Sequence, residues 1–407
     1  MDKIGLLYFH KDLRCQHNAA LAAASHSDLP LAAVYFLPAE HGLNFKQYTF
    51  LQQSLQDLQH NLLKLHIPLH VLPYSVHELP KLAQQWRVAE IFSNQNNDLN
   101  ESLQRQLTEH GCRLHLFPEY AVLPQASQIA SESTFSQAWL AALPSAEHLL
   151  KQEFKITIKT NNLTVLPEIW QRATPINAPN HSVIHGGETA AQKQLIDLQK
   201  RLSEYEHQQP FPARQAEARL SPYLRFGCIA WQQLLAVASE NRFLLNLCCK
   251  RDFYRQLMPK ITPTTTTLSA TESEILQRWQ QGKTGYPLID AAMRCLTQTG
   301  LLHADLRAAA AQFLCHFAPN ACDLGAHYFA EHLLDFDEKL NQINWQKAQH
   351  QSFVAPNMLA QRCDPDGRFT RRFLPELAHL NVQYLHTPWL AAHHIETHDY
   401  PSPLPLP

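Results

Sequence analysis

Long apolar runs are missing from this 407-residue chain: none approaches the roughly 20 residues of a helical membrane span, so no membrane partner is expected. The opening Met1-Asp2-Lys3-Ile4-Gly5 enters a strand-like segment at once and leaves no room for a charged-then-apolar signal segment, so a cytoplasmic location is expected. An excess of basic charge is missing too. Lys and Arg number 34 against 36 Asp and Glu, a net charge of -2, which gives no global footprint for nucleic acid and confines any DNA contact to a local patch. C-x-x-C pairs are absent and the nine cysteines are odd in number, which argues against both a zinc site and a disulfide framework; reduced, mostly buried thiols and no metal are expected. No G-x-G-x-x-G follows the first strand-like run, so a dinucleotide site of the usual kind is not expected there. The 24 histidines are scattered, His393-His394 being the only adjacent pair, and read mostly as surface or capping residues.

What is present suffices for two domains with substantial cores, at 45% hydrophobic and 17% charged residues. From Ile4 to about Leu123, short apolar runs (Ile4 to Phe9, Leu31 to Phe36, Leu69 to Leu72, Glu90 to Ser93, Leu114 to Phe117) alternate with helical stretches such as Phe50 to Leu65 and Asn100 to His110. That alternation predicts a Rossmann-like parallel α/β sheet over residues 1–124. Residues 125–187, with Ser127, Ser131, Ser133, Pro167, Pro175, Pro179 and Gly186-Gly187, read as a long surface linker. From Glu188 apolar residues recur at three- and four-residue spacing, so 188–407 is expected to be an all-α domain.

Within that half, Trp279-Gln280-Gln281-Gly282-Lys283-Thr284-Gly285-Tyr286-Pro287-Leu288-Ile289-Asp290-Ala291-Ala292-Met293-Arg294 is followed by Leu334-Asp335-Phe336-Asp337, Asn341 and Trp345. Asp364-Pro365-Asp366-Gly367 and Leu374-Pro375-Glu376-Leu377 close the series. A turn-to-helix start and a tight turn are common singly; their order and spacing together resemble the flavin-binding helical domain of the DNA photolyase and cryptochrome family. The opening Tyr8-Phe9-His10-Lys11-Asp12-Leu13-Arg14 with Asn18, Ala20 and Leu21 resembles the family's first strand and turn. There the plain expectation for Asp12 and Arg14 is a loop salt bridge capping the first helix.

The resemblance implies FAD as cofactor. Asp335, Asp337, Arg307 and Asn341 match the family residues on the ribityl and isoalloxazine side, with Asn341 facing N5. Carboxylates accept hydrogen bonds from sugar and ring edges, an arginine keeps a buried carboxylate ionised, and an amide near N5 responds to its protonation. The plain alternative is an Arg-Asp pair that ties helices together. Tyr205 and Ser221, with Arg251, match the phosphate side, but Glu217 and Ala218 stand where the family has a Thr-Ser pair. A carboxylate beside a pyrophosphate repels it, so weakened FAD binding is expected.

The resemblance also implies DNA, damaged where repair is retained, as partner of a monomeric protein. Lys250 and His303 are the candidate DNA contacts. The lesion-facing family pattern is altered: Leu247 stands for a Glu, Lys250 for a Trp, Ala304 for an Asn and Asp305 for an Arg. Of the family's three-tryptophan electron chain, Trp345 matches the member nearest the flavin and, with Asn341, is the candidate catalytic pair. The middle position aligns with Cys322 and the outer falls near Ser269, so the route is interrupted unless Tyr328 or Tyr286 substitutes. Asn100-Glu101 stands where some bacterial photolyases hold a folate antenna; the alternative is a solvated helix start capped by Asn97 or Asp98. Two functions follow from the resemblance. One is a deoxyribodipyrimidine photo-lyase that splits pyrimidine dimers by electron transfer from reduced flavin. The other is a non-repairing light or redox sensor, or a binding protein with weak or no FAD.

Overall fold

The computed structural model describes residues 3–38, 43–73, 75–95, 99–123, 131–151, 184–257, 267–390 and 396–405. They form two compact units. The first comprises Met1–Gln125, Gln137–Lys200 and Arg219–Leu245, and the second Ala126–Ser136, Arg201–Ala218 and Asn246–Pro407.

The first unit is built on β1 (Ile4–Phe9), β2 (Leu31–Phe36), β3 (Leu69–Leu72), β4 (Val88–Asn94) and β5 (Arg113–Phe117). All neighbours are parallel, in the order β3-β2-β1-β4-β5. The expected strands are therefore present. Every residue of β1 and β2 is buried, as runs of apolar residues covered on both faces must be. Parallel pairing needs crossovers, and the helices Ala19–Ser25, Phe45–Lys64, Leu79–Gln85 and Glu101–Glu109 supply them. The second of these starts five residues before the expected Phe50, because Asn44 and Gln47 form a capping box: each side chain accepts from the other's backbone N–H, at 2.9 and 3.1 Å.

At the end of β1 the expected Asp12–Arg14 cap is replaced by Asn18, whose Oδ1 accepts from Leu21 N at 3.0 Å. Asp12 instead accepts from His10 N and Asn94 Nδ2, and Arg14 donates to the carbonyls of Gly227 and His17. Gly227, in the left-handed region at φ 70°, lies so close to Lys11 that a Cβ would sit 1.8 Å from its carbonyl oxygen. Two side chains fix the helix Glu188–Lys200 to the sheet unit. Glu188, buried, accepts from Cys15 N and Gln16 N at 2.8 Å each, and Asp57 takes both the N–H and the hydroxyl of Thr189. Residues 188–200 and 219–245 group with the unit that carries the sheet, although their periodicity is helical. The expected linker likewise carries two helices, Glu132–Ala142 and Ala146–Lys151; its residues 125–130 and 152–183 lie outside the described residues.

The second unit is helical. Ala270–Gln280, Pro287–Thr299, Ala304–Phe317, Cys322–His332, Glu338–His350, Pro356–Cys363 and Arg368–Phe373 surround a core that contains Trp279, Phe313, Phe329 and Trp345. The motifs noted above lock this unit. Asp290 accepts from Thr284 N and Oγ1 at 2.7 Å each, from Gly285 N, and from the Tyr400 hydroxyl. Asp364 accepts from Phe369 N and from Thr370 N and Oγ1, the same device in a second turn. Arg294 then joins the first motif to the last through Glu376 at 2.7 Å. Cys315 and Cys322 are brought side by side, with Cα atoms 5.2 Å apart, because the turn Pro319–Ala321 folds the two helix ends together. Cys15, Cys112, Cys228, Cys248, Cys249, Cys295 and Cys363 keep reduced thiols.

Candidate flavin site

Two helices of the second unit, with the turn before one of them, carry the expected flavin-side residues. Arg307 lies one turn into Ala304–Phe317, Asp335 sits in the turn after Cys322–His332, Asp337 caps Glu338–His350, and Asn341 follows one turn later. Arg307 is held twice: Nε donates to Leu302 O at 2.7 Å and Nη2 donates to Asp335 Oδ2 at 3.0 Å. The second oxygen, Oδ1, also lies 3.0 Å from Nη2 but makes no hydrogen bond of acceptable geometry, in a side chain only 6% exposed. That oxygen has the guanidinium charge beside it but no aligned donor. It is the kind of acceptor that a sugar hydroxyl or a ring N–H of a bound group satisfies.

Asn341 supports the same assignment. Its Nδ2 donates to Ala326 O at 3.0 Å, which leaves the amide oxygen as its remaining acceptor. Asp337 is engaged differently: its Oδ1 accepts from Leu340 N at 3.1 Å, so part of its role is to start the helix that carries Asn341 and Trp345. Burial lowers the Arg251 pKa, Arg255 adds to that, and Asp335 and Asp337 oppose it. Asp335 and Asp337 thus act electrostatically on Arg251, and Arg307 on Asp335. On these observations the flavin-side residues fit FAD.

The phosphate side is arranged otherwise. Arg201 Nη1 and Nη2 donate to the carbonyls of Ala216 and Glu217 at 2.6 and 3.0 Å, and the segment is flanked by Gln215 and Arg219, both in the left-handed region. Tyr205 is buried, and burial pushes its phenol up to about 12 although Ala218 N–H donates to it. An amide that the family resemblance would turn toward a pyrophosphate is therefore already used. Glu217 adds negative charge there, its Oε1 lying 4.0 Å from His303 Nε2. Ser221 is the first residue of the helix Ser221–Phe226 in the first unit.

His303, expected to meet DNA, is 3% exposed and works as a cap. Its Nδ1 accepts from Asp305 N at 3.2 Å, so Nε2 carries the proton and donates to Gln209 O at 2.8 Å. Neither nitrogen is left for a phosphate. Lys250 is half exposed and pairs with Glu132 at 3.6 Å. Leu247, Ala304 and Asp305 are exposed, which places the altered positions where a partner can reach them.

Trp345 is buried in the core, its ring against Gly325, and its Nε1 has no hydrogen-bond partner. Its neighbour is Trp279, which the sequence motifs do not connect to it. Trp279 meets Trp345 edge-on at 6.1 Å between ring centroids and Tyr328 at 5.6 Å, and Tyr328 is partly exposed. Tyr328 thus belongs to a chain of aromatic contacts with Trp345, whereas Tyr286 packs on Phe313, Phe317 and Trp389. The signal was present, since Trp279 opens the longest motif, but its spacing to Trp345 says nothing of contact. In the first unit, Asn100 itself caps Glu101–Glu109 by accepting from Leu103 N at 3.0 Å, with Glu101 exposed beside it. Asn97 and Asp98, the expected caps, lie outside the described residues.

Among the described residues no group of three or more His, Cys, Asp or Glu could hold a metal ion, and no helix is long and apolar enough to cross a membrane. Residues 234–405 match the family described as FAD binding domain of DNA photolyase, and residues 5–153 match the family described as DNA photolyase. The chain is 27% identical to a deoxyribodipyrimidine photo-lyase of Vibrio cholerae over 94% of this chain and 92% of that protein. It is 27% identical to cryptochrome-2 of Gallus gallus over 98% of this chain and 80% of that one. The crystal structure of a bacterial class III photolyase from Agrobacterium tumefaciens superposes with a TM-score of 0.84 at 23% identity, covering 99% of this chain and 94% of that one.

Proposed function

Because the chain belongs to the DNA photolyase and cryptochrome family, we propose that it is a flavoprotein that holds FAD chiefly through its flavin side and splits pyrimidine dimers in DNA under light. The observation that carries the cofactor reading is the buried Asp335 oxygen without a donor, beside a second oxygen held by Arg307. Asp335, Asp337, Asn341, Arg307 and Arg251 would hold the group, with Tyr205 toward its phosphates. Reduced FAD, when bound, supplies the electron that cleaves a dimer. The chain's own residues do the rest: Asn341 presents an amide oxygen, Arg307 donates to Asp335 and orients it, and the Trp345, Trp279 and Tyr328 contacts offer oxidisable rings in series. The activity is taken from the family's deoxyribodipyrimidine photo-lyases.

A second reading, a non-repairing light or redox sensor, is favoured by a specific set of side chains. Leu247 and Ala304 remove hydrogen-bonding groups, Asp305 sets a negative charge where the family has a positive one, and Lys250 is engaged by Glu132. One assay separates the two. Protein reconstituted with FAD and reduced chemically, which removes the aromatic chain from the question, is illuminated with blue light on a dimer-containing oligonucleotide. Restored monomer thymines support repair; no restoration and no preference for damaged over intact DNA leave the sensor. Colourless protein that shows no heat of FAD binding would reject the flavoprotein reading altogether.

A further inference from the structure

A cluster of four side chains in the second unit has no part in the flavin site. The Tyr254 hydroxyl donates to Glu132 Oε2 at 2.9 Å and accepts from Lys347 Nζ, whose ammonium also lies 4.1 Å from the Tyr254 ring centroid. Lys250 Nζ approaches the other carboxylate oxygen at 3.6 Å. Lys250 and Tyr254 share a face of the helix Arg242–Gln256, four residues apart, and Lys347 comes from Glu338–His350. Phe135, on the same helix as Glu132, packs on Phe253 at 5.1 Å between ring centroids.

The charges do not balance. Two ammonium groups and a phenol converge on one carboxylate, and the lysines oppose each other: burial lowers the Lys347 pKa, Glu132 raises it and Lys250 lowers it again. The carboxylate is also loosely held. The Lys250 and Glu132 side chains are 52% and 46% exposed, and exposed pairs of this kind are worth roughly 0–1 kcal/mol. A group bound this weakly, with a surplus of positive charge around it, yields to a better anion.

We infer that Lys250, Lys347 and Tyr254 form a site for a nucleic-acid phosphodiester, and that Glu132 occupies it in the free protein as a substitute for the phosphate oxygens. The inference rests on the DNA-binding reading above and adds to it a regulated contact. Glu132→Gln keeps an oxygen that accepts from Tyr254 while removing the charge, and Glu132→Ala serves if that variant melts early. Anisotropy with labelled single-stranded oligonucleotides, with and without a dimer, should show about tenfold tighter binding for Glu132→Gln at low salt, with a salt dependence steeper by about one to two ions. Glu331→Gln, an exposed carboxylate on Cys322–His332, controls for net charge and should change affinity no more than about twofold. Lys250→Met and Lys347→Met should each weaken binding more in the Glu132→Gln background than in the wild type.

Equal gains from Glu132→Gln and Glu331→Gln, or lysine effects that add without coupling, overturn the inference and leave DNA binding intact. Calorimetry with pyrophosphate distinguishes the remaining cases. Pyrophosphate bound by the Glu132→Gln variant and lost with either lysine, in a protein indifferent to DNA, keeps the anion site and rejects the DNA reading. Binding of neither probe by any variant rejects both.

Discussion

Asp335 shares one oxygen with Arg307 and leaves the other without a donor, while Arg251 feels its charge from a buried position. Changing Asp335→Asn removes the charge that compensates both guanidinium groups. Arg307 is partly exposed, so the loss is smaller than for a fully buried pair, about 1–3 kcal/mol. FAD affinity should fall at least about tenfold, read by quenching of flavin fluorescence on titration; an unchanged affinity would count against this carboxylate as a cofactor ligand. On the phosphate side the opposite is expected. Glu217→Thr with Ala218→Ser removes a negative charge and adds two hydroxyl donors, and should tighten FAD by about tenfold in the same titration. These residue types were legible in the sequence through their motifs. That Ala218 N–H is spent on Tyr205, and that His303 is a buried cap, was not, because both depend on partners 13 and 94 residues away.

At the scale of elements, the helix Cys322–His332 reaches its neighbours through a glycine. A Cβ at Gly325 would lie 2.3 Å from Trp345 Cη2 and 2.4 Å from Leu314 Cδ2, so Gly325→Ala overpacks the contact between two ring-bearing helices. Such overpacking costs about 1–3 kcal/mol, and urea unfolding should show the loss with its slope unchanged. The helix Ala270–Gln280 carries a pH dependence of its own. Glu272 accepts from Ser269 N and Oγ and from Asn320 N and Nδ2, which pulls its carboxyl down to about 2. A depressed carboxylate contributes stability above its unfolded value, about 4.3, and that contribution is lost as pH falls toward 2. The melting temperature of Glu272→Gln should therefore vary less over this acid range than that of the wild type; parallel profiles would show that the capping contacts carry no linkage. The cap itself was written locally, as Ser269 three residues before Glu272, whereas Asn320, 48 residues on, was not.

For the molecule as a whole, a net charge of -2 bounds what DNA binding can be. Without a broad basic field, association depends on few cations, and the affinity of the wild type for intact duplex should change with salt by an exponent no greater than about 2 to 3. A steeper dependence, measured by anisotropy across 50–200 mM salt, would reveal a basic surface that the charge count hides.

The five parallel strands, the helical second half and the family followed from the sequence, because buried parallel strands must be continuous apolar runs, helices must repeat their apolar residues every three to four positions, and the turn motifs are satisfied within a few residues, as Thr284 and Thr370 are by Asp290 and Asp364. Only the tertiary structure decided where those pieces belong. Residues 188–200 and 219–245 join the sheet unit despite their helical pattern, Cys315 meets Cys322, Trp279 meets Trp345, and Glu132 meets Lys250 and Tyr254. Each of these depends on which neighbour supplies a partner for a buried ring, a thiol or a charge, and periodicity specifies which face of an element is covered without specifying what covers it.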